Sequence, residues 1–323
     1  MSPLIAVDLG GSNIRTALVT DGGAILAHTT ASTPTEGASG AVVTARIIEM
    51  IEDILATRTL RQEDGAPAAI GISSAGPLDL GRGSVINSPN IAFPEIELSA
   101  PIREHFGIPV HLINDARAGA LGERWAGAAQ GCDNLVYITI STGIGGGAVV
   151  NGTLLLGKDG NAGEIGHLIV EERYGLRCGC GYTGHWEAYA SGRNIPQFFA
   201  AWLEAGGGGP PGFDAGSVEE IFAAARRREP AALAFMDALG RINARGVSNV
   251  IVAYNPEIIV LDGPVARYHG DLIISRMEPY IDRFLALPRI VASGLAGRAP
   301  LLGAAAYARE RESRPWPAGD CRA

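Results

Sequence analysis

One pattern limits what this chain can fold into more than any other. An apolar strand, a glycine-rich turn and a return strand occur twice, far apart in the sequence. In the first copy residues 4–7 read as a buried strand, Asp8-Leu-Gly-Gly-Ser12 as the turn, and residues 14–19 alternate as the return strand. Asp21-Gly22-Gly23 then signals a hairpin before residues 24–26. In the second copy residues 135–140 are apolar, Ser141-Thr-Gly-Ile-Gly-Gly-Gly147 is the turn, and residues 148–150 return. Asn151-Gly152 closes a hairpin before residues 154–156. The copies share element order rather than residues, which predicts an internal structural duplication. The chain has 323 residues, enough for two cores. The expected class is α/β with two lobes, each offering one glycine turn.

The remaining elements follow from spacing and punctuation. Val42, Val43, Ile47, Ile51, Ile54 and Leu55 lie at helical intervals, and residues 69–72 form a further buried strand. The apolar residues 110–113 precede Asn114-Asp115, which opens a helix through about residue 128. Gly206-Gly-Gly-Gly-Pro-Pro-Gly212 is a surface loop. Ser217-Val-Glu-Glu220 is a capping box for a helix to about residue 228, and a longer helix covers roughly 231–253, ending before Asn255-Pro256. Residues 257–261 read as a strand meeting Gly263, and residues 301–311 as an alanine-rich helix. Residues 314–323 read as a frayed tail in which Cys321 has no role.

Charge and composition narrow the class. A formal net charge of -8 argues against a nucleic-acid partner, whose binding rests largely on phosphate neutralisation. It leaves room for a nucleotide, which needs only a local positive site. The N-terminus carries no basic leader, and no apolar run approaches a membrane span, so a soluble cytoplasmic protein is expected. Of Cys132, Cys178, Cys180 and Cys321, the middle pair is separated by one residue, too tight for a disulfide framework and better suited to a metal.

Several groups could carry chemistry. In Asp8-x-Gly10-Gly11-Ser12-x-x-Arg15, glycines would let backbone N–H groups approach phosphate oxygens, Ser12 adds a donor, and Asp8 at a strand end could hold hydrated Mg²⁺. A plain hairpin turn is the alternative. The same choice applies to Thr142-Gly143-Ile144-Gly145-Gly146-Gly147. His167, Cys178, Cys180 and His185 offer a Cys₂His₂ set for a closed, structural zinc site; a redox pair or ordinary buried thiols are the alternatives. Glu164 and Glu187 flank that set, as sugar-reading acceptors or as surface acids. Asp115 could take a proton from an attacking hydroxyl, or Asn114 and Asp115 could cap the helix they open. Asn90, in Ser88-Pro-Asn-Ile91, reads by itself as a turn residue.

Together these segments resemble the ROK family of actin-like sugar kinases, from Asp8 to the final helix. Asp8-x-Gly10-Gly11-Ser12-x-x-Arg15 resembles its first phosphate motif, with Ser12 where Thr is more usual. Residues 143–147 resemble the second, and Asn114-Asp115-Ala-Arg-Ala-Gly-Ala-Leu-Gly-Glu123 the segment with the catalytic base. Glu164-x-x-His167 and Cys178-Gly-Cys180-Gly181-x-x-Gly184-His185-x-Glu187 resemble the family signature, with His185 where a third cysteine is usual. Residues 255–263 resemble the strand and turn that cover adenosine; the family commonly has successive glycines where this chain reads Leu261-Asp262-Gly263-Pro264, so Asp262 adds charge and Pro264 fixes φ.

The resemblance implies two actin-like, ribonuclease H-like lobes with a cleft between them. The smaller would comprise residues 1–116 with 301–323, and the larger 117–300 with the zinc loop. It implies Asp115 as the base, and Asn90, Asn114, Asp115, Glu164, His167 and Glu187 as sugar contacts. Asp8, Gly10, Gly11, Ser12, Arg15, Thr142, Gly143, Gly145 and Gly263 would serve ATP and Mg²⁺, while His167, Cys178, Cys180 and His185 hold structural Zn²⁺. The implied reaction passes the γ-phosphoryl group of ATP to a hexose, glucose first, yielding glucose 6-phosphate in a homodimer or homotetramer. N-acetylmannosamine, fructose, mannose or allose are alternative acceptors. A sugar-responsive repressor of the same family would carry a helix-turn-helix before the first motif, and only residues 1–7 precede Asp8. A non-catalytic binder would lack the base or a phosphate turn, and other actin-like ATPases need neither sugar-reading glutamates nor a zinc loop.

Overall fold

The computed structural model describes residues 2–57 and 65–313; the tail expected over 314–323, with Cys321, lies outside the described residues. In chain order, β1 (Leu4–Leu9), β2 (Asn13–Val19), β3 (Ile25–Ser32), α1 (Ala41–Thr57) and β4 (Ile70–Ser74) come first. Three short strands follow: β5 (Leu78–Asp79), β6 (Ser84–Ile86) and β7 (Glu95–Glu97). Next are α2 (Ser99–Phe106), β8 (Val110–Asn114) and α3 (Asp115–Ala126). The second half contains β9 (Leu135–Ile140), β10 (Ile144–Val150), β11 (Thr153–Leu154), α4 (Glu187–Ala190), α5 (Ile195–Glu204), α6 (Val218–Arg226) and α7 (Pro230–Tyr254). It ends with β12 (Ile258–Asp262), α8 (Gly263–Met277), β13 (Arg289–Ala292) and α9 (Ala299–Ser313). Among the described residues no helix is long and apolar enough to cross a membrane.

These elements form two compact units. One holds the described residues up to Gln130, Leu156–Gly160 and those from Arg298 onward; the other holds Gly131–Leu155 and Asn161–Gly297. In the first unit the sheet order is β3-β2-β1-β4-β8. β1 is antiparallel to β2 and parallel to β4, which is parallel to β8. β1 is covered on both faces, which is why residues 4–7 are apolar without alternation. The alanine and glycine content of α3 and α9 has a packing reason. A Cβ at Gly122 would overlap the carbonyl oxygen of Ala299, one at Gly303 that of Ala118, and one at Gly71 of β4 that of Ala304. Here α9 is wedged backbone to backbone against α3 and β4.

The second unit repeats the order as β11-β10-β9-β12-β13, with β9 antiparallel to β10 and parallel to β12. The duplication expected from the sequence is therefore present at the level of strand pairing. The second glycine turn is shorter than expected, however. Gly145, Gly146 and Gly147 lie within β10, opposite Thr139, Ile138 and Tyr137, so only Ser141-Thr142-Gly143 turn the chain. The reason is close approach: a Cβ at Gly146 would come within 2.7 Å of the Ile165 side chain.

Helix α8 is the largest element that residue patterns concealed. Gly263-Pro264 reads as a turn, yet Pro264 sits in the first helical turn, where its missing N–H costs nothing. The core of this unit is aromatic, with Phe198, Phe199, Phe222, Phe235, Trp186 and Tyr189 all buried.

Candidate functional site

In the first unit the carboxyl ends of the parallel strands β1, β4 and β8 lie side by side, the usual location of ligand sites in such sheets. Asp8 is paired with Ser73, and Ser74 with Asn114. Ser73 Oγ donates to Asp8 Oδ1 at 2.8 Å, and Arg15, directly across the β1–β2 pair, places Nη1 3.4 Å from Asp8 Oδ2. The loop Gly10-Gly11-Ser12-Asn13 is closed by Gly10 N–H donating to the Asn13 carbonyl at 2.9 Å. Thr33 fastens it from outside: its hydroxyl donates to the Gly10 carbonyl at 2.7 Å and its N–H to the Ser12 carbonyl at 3.0 Å. A Cβ on Gly11 would overlap the Asn90 carbonyl oxygen, so this glycine is what lets the Asn90 segment rest on the turn. The Ser73–Asp8 and Thr33–Gly10 contacts escaped the residue-level reading because only strand register makes them.

Asn114 is the N-cap of α3, with φ -68° and ψ 145°. Its Oδ1 accepts from Ala116 N at 3.1 Å and from Arg117 N at 3.4 Å. Asp115, the first helical residue, has Oδ1 2.8 Å from the same Ala116 N–H. Of the two residues expected to share capping and chemistry, Asn114 is thus the cap, and Asp115 stands at the positive end of the helix dipole.

In the second unit a small hairpin carries the metal-type residues. Val170 N–H donates to Gly184 O at 2.9 Å, Trp186 N–H to Leu168 O at 2.8 Å, and Cys178 N–H to Tyr182 O at 2.8 Å. Gly181 and Gly184 adopt φ of 95° and 82°, which side chains with a Cβ resist. The result is convergence: the ligand atoms of His167, Cys178, Cys180 and His185 lie within 4.8 Å of one another. His167 Nδ1 and His185 Nδ1 are 3.2 Å apart, Cys178 Sγ is 3.7 Å from the former, and Cys180 Sγ is 3.2 Å from the latter. Tetrahedral zinc with ordinary bond lengths needs ligand–ligand edges of about 3.3–3.8 Å. The donor set fits that ion, and closing the 4.8 Å spread to those edges takes side-chain movement of about 1 Å. Burial, reinforced by the charge of Glu187, pushes the Cys178 thiol up to about 12, and burial with the charge of His167 lowers His185. A cation among these atoms reverses the thiol's preference, since a coordinating thiol gives up its proton.

The loop is anchored by one residue that pattern reading passed over. Trp186, only 1% exposed, donates from Nε1 to Asn243 Oδ1 of α7 at 2.9 Å. Gly246, one turn further along, has no Cβ; one would overlap the indole ring. On either side of this anchor stand His185 and Glu187. Glu187 Oε2 accepts from Ile144 N at 2.9 Å, and Cys178 Sγ is 3.4 Å from Oε1. Glu164 precedes the 3₁₀ turn Ile165–His167, with Oε2 3.9 Å from His167 Nε2. Thr142 and Gly143 form the turn beside Glu187, whereas Gly145 has moved into the strand.

At the end of β12, Gly263 opens α8 with φ 88°, and a Cβ there would crowd the Ile140 carbonyl oxygen at 2.5 Å. The neighbouring Asp262 points inward. Tyr137 OH donates to its Oδ2 at 3.0 Å and Arg267 Nε is 3.5 Å from Oδ1.

The ROK family model matches residues 4–311. The chain belongs to the ROK family. Its fold is the ROK, actin-like α/β fold with mixed sheets. A glucokinase of Pyrobaculum calidifontis is 35% identical over 289 residues, covering 89% of this chain and 88% of that one. The crystal structure of a ROK hexokinase from Thermus thermophilus matches with a TM-score of 0.79 at 31% identity, covering 96% of this chain and 99% of the other. A ROK family glucokinase from Streptomyces griseus, in complex with glucose and AMPPNP, matches with a TM-score of 0.73 at 31% identity over 96% of this chain and 100% of that one. His185 stands with His167, Cys178 and Cys180 in this group of four.

Proposed function

We propose that this ROK protein is an ATP-dependent hexose kinase that phosphorylates glucose, with Asp115 as the base. The observation that carries the proposal is the convergence, at the carboxyl ends of β1, β4 and β8, of the Asp8–Asn13 turn, Asn90 and Asp115. The likeness to a glucokinase complexed with glucose and AMPPNP supports glucose and ATP as the substrates. Phosphoryl transfer needs mainly positioning and charge stabilisation, and these residues are suited to supply both.

Asp115 accepts the proton of the attacking sugar hydroxyl. Backbone N–H groups of Gly11 and Ser12, in the turn that Gly10 closes, and Arg15 serve phosphates at the first unit's turn; Thr142 and Gly143 serve them at the second unit's turn, and Gly263 serves the nucleoside end. Asp8 would help hold Mg²⁺, which neutralises phosphate charge when bound. Asn90, Asn114, Glu164, His167 and Glu187 read sugar hydroxyls. His167, Cys178, Cys180 and His185 would hold zinc, whose contribution is to stiffen a hairpin with little core of its own. The proposal includes a cytoplasmic homodimer or homotetramer without a nucleic-acid partner.

The test is ADP release measured with ATP and a panel of hexoses, glucose, N-acetylmannosamine, fructose, mannose and allose, for the wild type and Asp115→Asn. Glucose-dependent release that disappears in the variant is expected. ADP release indifferent to every sugar would overturn the kinase reading, and near-normal turnover by Asp115→Asn would overturn the base.

A further inference from the structure

We infer that Glu187 is a positioning residue that ties the metal hairpin to the second glycine turn, so that the hairpin's integrity sets how firmly the turn holds a nucleotide. One Glu187 oxygen accepts the Ile144 N–H at 2.9 Å, a charge-assisted bond, while the other faces Cys178 Sγ at 3.4 Å. Gly143 accommodates this carboxylate, because a Cβ there would overlap Glu187 Oε2. A second tie lies just beyond α4: Gly192 N–H donates to the Ser141 carbonyl at 2.7 Å. Asn194 closes the stretch between the two ties, its Nδ2 donating to the Glu187 carbonyl at 2.9 Å and to Ser191 Oγ at 3.0 Å. The turn Ser141-Thr142-Gly143 is therefore held at both ends by one short segment. That segment begins beside the ligand His185 and is rooted in α7 through Trp186.

The consequence is mechanical. A turn this short has few soft dihedrals, so fixing both ends fixes the direction of the N–H groups between them. Loss of the metal would free His185, two residues before Glu187, relax that carboxylate, and release the Ile144 N–H. Zinc, remote from the phosphates in its chemistry, would then influence nucleotide affinity through Glu187. This rests on the reading of Thr142 and Gly143 as phosphate contacts.

The experiment measures two quantities: amide hydrogen exchange of Gly143 and Ile144, and binding of AMPPNP with Mg²⁺ by calorimetry. The samples are the zinc-loaded protein, the same protein after chelation, Glu187→Ala, Glu187→Gln and Gly143→Ala. Chelation and Glu187→Ala are each expected to speed exchange at Ile144 by roughly tenfold or more and to weaken AMPPNP binding comparably. Glu187→Gln, which keeps an acceptor oxygen, should recover most of both. Gly143→Ala guards against a variant that merely misfolds: it displaces the carboxylate while leaving all four metal ligands, so zinc content should hold while exchange rises. Exchange in β1, in the other unit, should not change in any sample. Unchanged exchange at Ile144 after chelation and in Glu187→Ala would overturn the tie, and faster exchange with unaltered AMPPNP binding would overturn its effect on the nucleotide. If AMPPNP protects no amide from 141 to 144 in the wild type, the phosphate reading fails, and the Ile144 exchange result alone decides the tie.

Discussion

Replacing Asn243 should loosen the metal hairpin from a distance. Asn243 sits on α7, is 2% exposed, and its Oδ1 accepts the Trp186 Nε1–H at 2.9 Å, while the indole is 1% exposed. Asn243→Leu fills much of the same space and removes the acceptor, so an indole N–H is left buried without its protein partner. Such an orphaned donor costs about 1–3 kcal/mol. Asn243→Ala adds a small cavity to the same loss and should cost more. Because Trp186 stands between His185 and Glu187, the cost falls on the conformation that gathers the four metal ligands. At 1.4 kcal/mol per factor of ten, a loss of about 2 kcal/mol corresponds to roughly 30-fold weaker zinc retention. Competition with a colorimetric chelator reads that retention, and urea unfolding reads the stability of the unit. If Asn243→Leu holds zinc within a factor of two of wild type and unfolds at the same urea concentration, the indole bond does not support the hairpin.

Asp115→Asn should lower kcat by about 10²–10⁴-fold with glucose affinity little changed, which steady-state ADP release and calorimetry would separate. Gly263→Ala places a side chain at φ 88° against the Ile140 carbonyl, and it should destabilise the protein by about 1–2 kcal/mol or more, read as a lower melting temperature; an unchanged value would refute the packing argument. Asp271 is held below its usual carboxylate range, first by the hydrogen bond from Arg226, which reaches it at 2.8 Å. Its contribution is present above the unfolded aspartate value and is lost as pH falls through the lower folded one. The stability gap between wild type and Asp271→Asn should therefore close on acidification below about pH 4, and a gap that widens there would contradict the assignment.

The expected adenosine turn shows where local reading stops. Gly263-Pro264 carries two turn-forming residues, and without its neighbours nothing signals that 15 residues of helix follow. Similarly, a run of glycines from 145 to 147 reads as a turn, but the ladder with β9 and the Ile165 side chain above Gly146 make it a strand. Asn114-Asp115 is an intermediate case. The residue types announced a cap and a carboxylate, and backbone geometry determined which residue does the capping.

By itself the sequence determined the repeated strand order, the Cys₂His₂ donor set and the position of Asp115, because periodicity, punctuation and ligand chemistry are properties of near neighbours. Only the tertiary structure brought Ser73 to Asp8, Asn90 onto Gly11, Asn243 to Trp186 and Glu187 to Ile144. Those pairs are far apart in the chain, and a hydrogen bond or a close backbone approach depends on register and helix placement that no local pattern encodes.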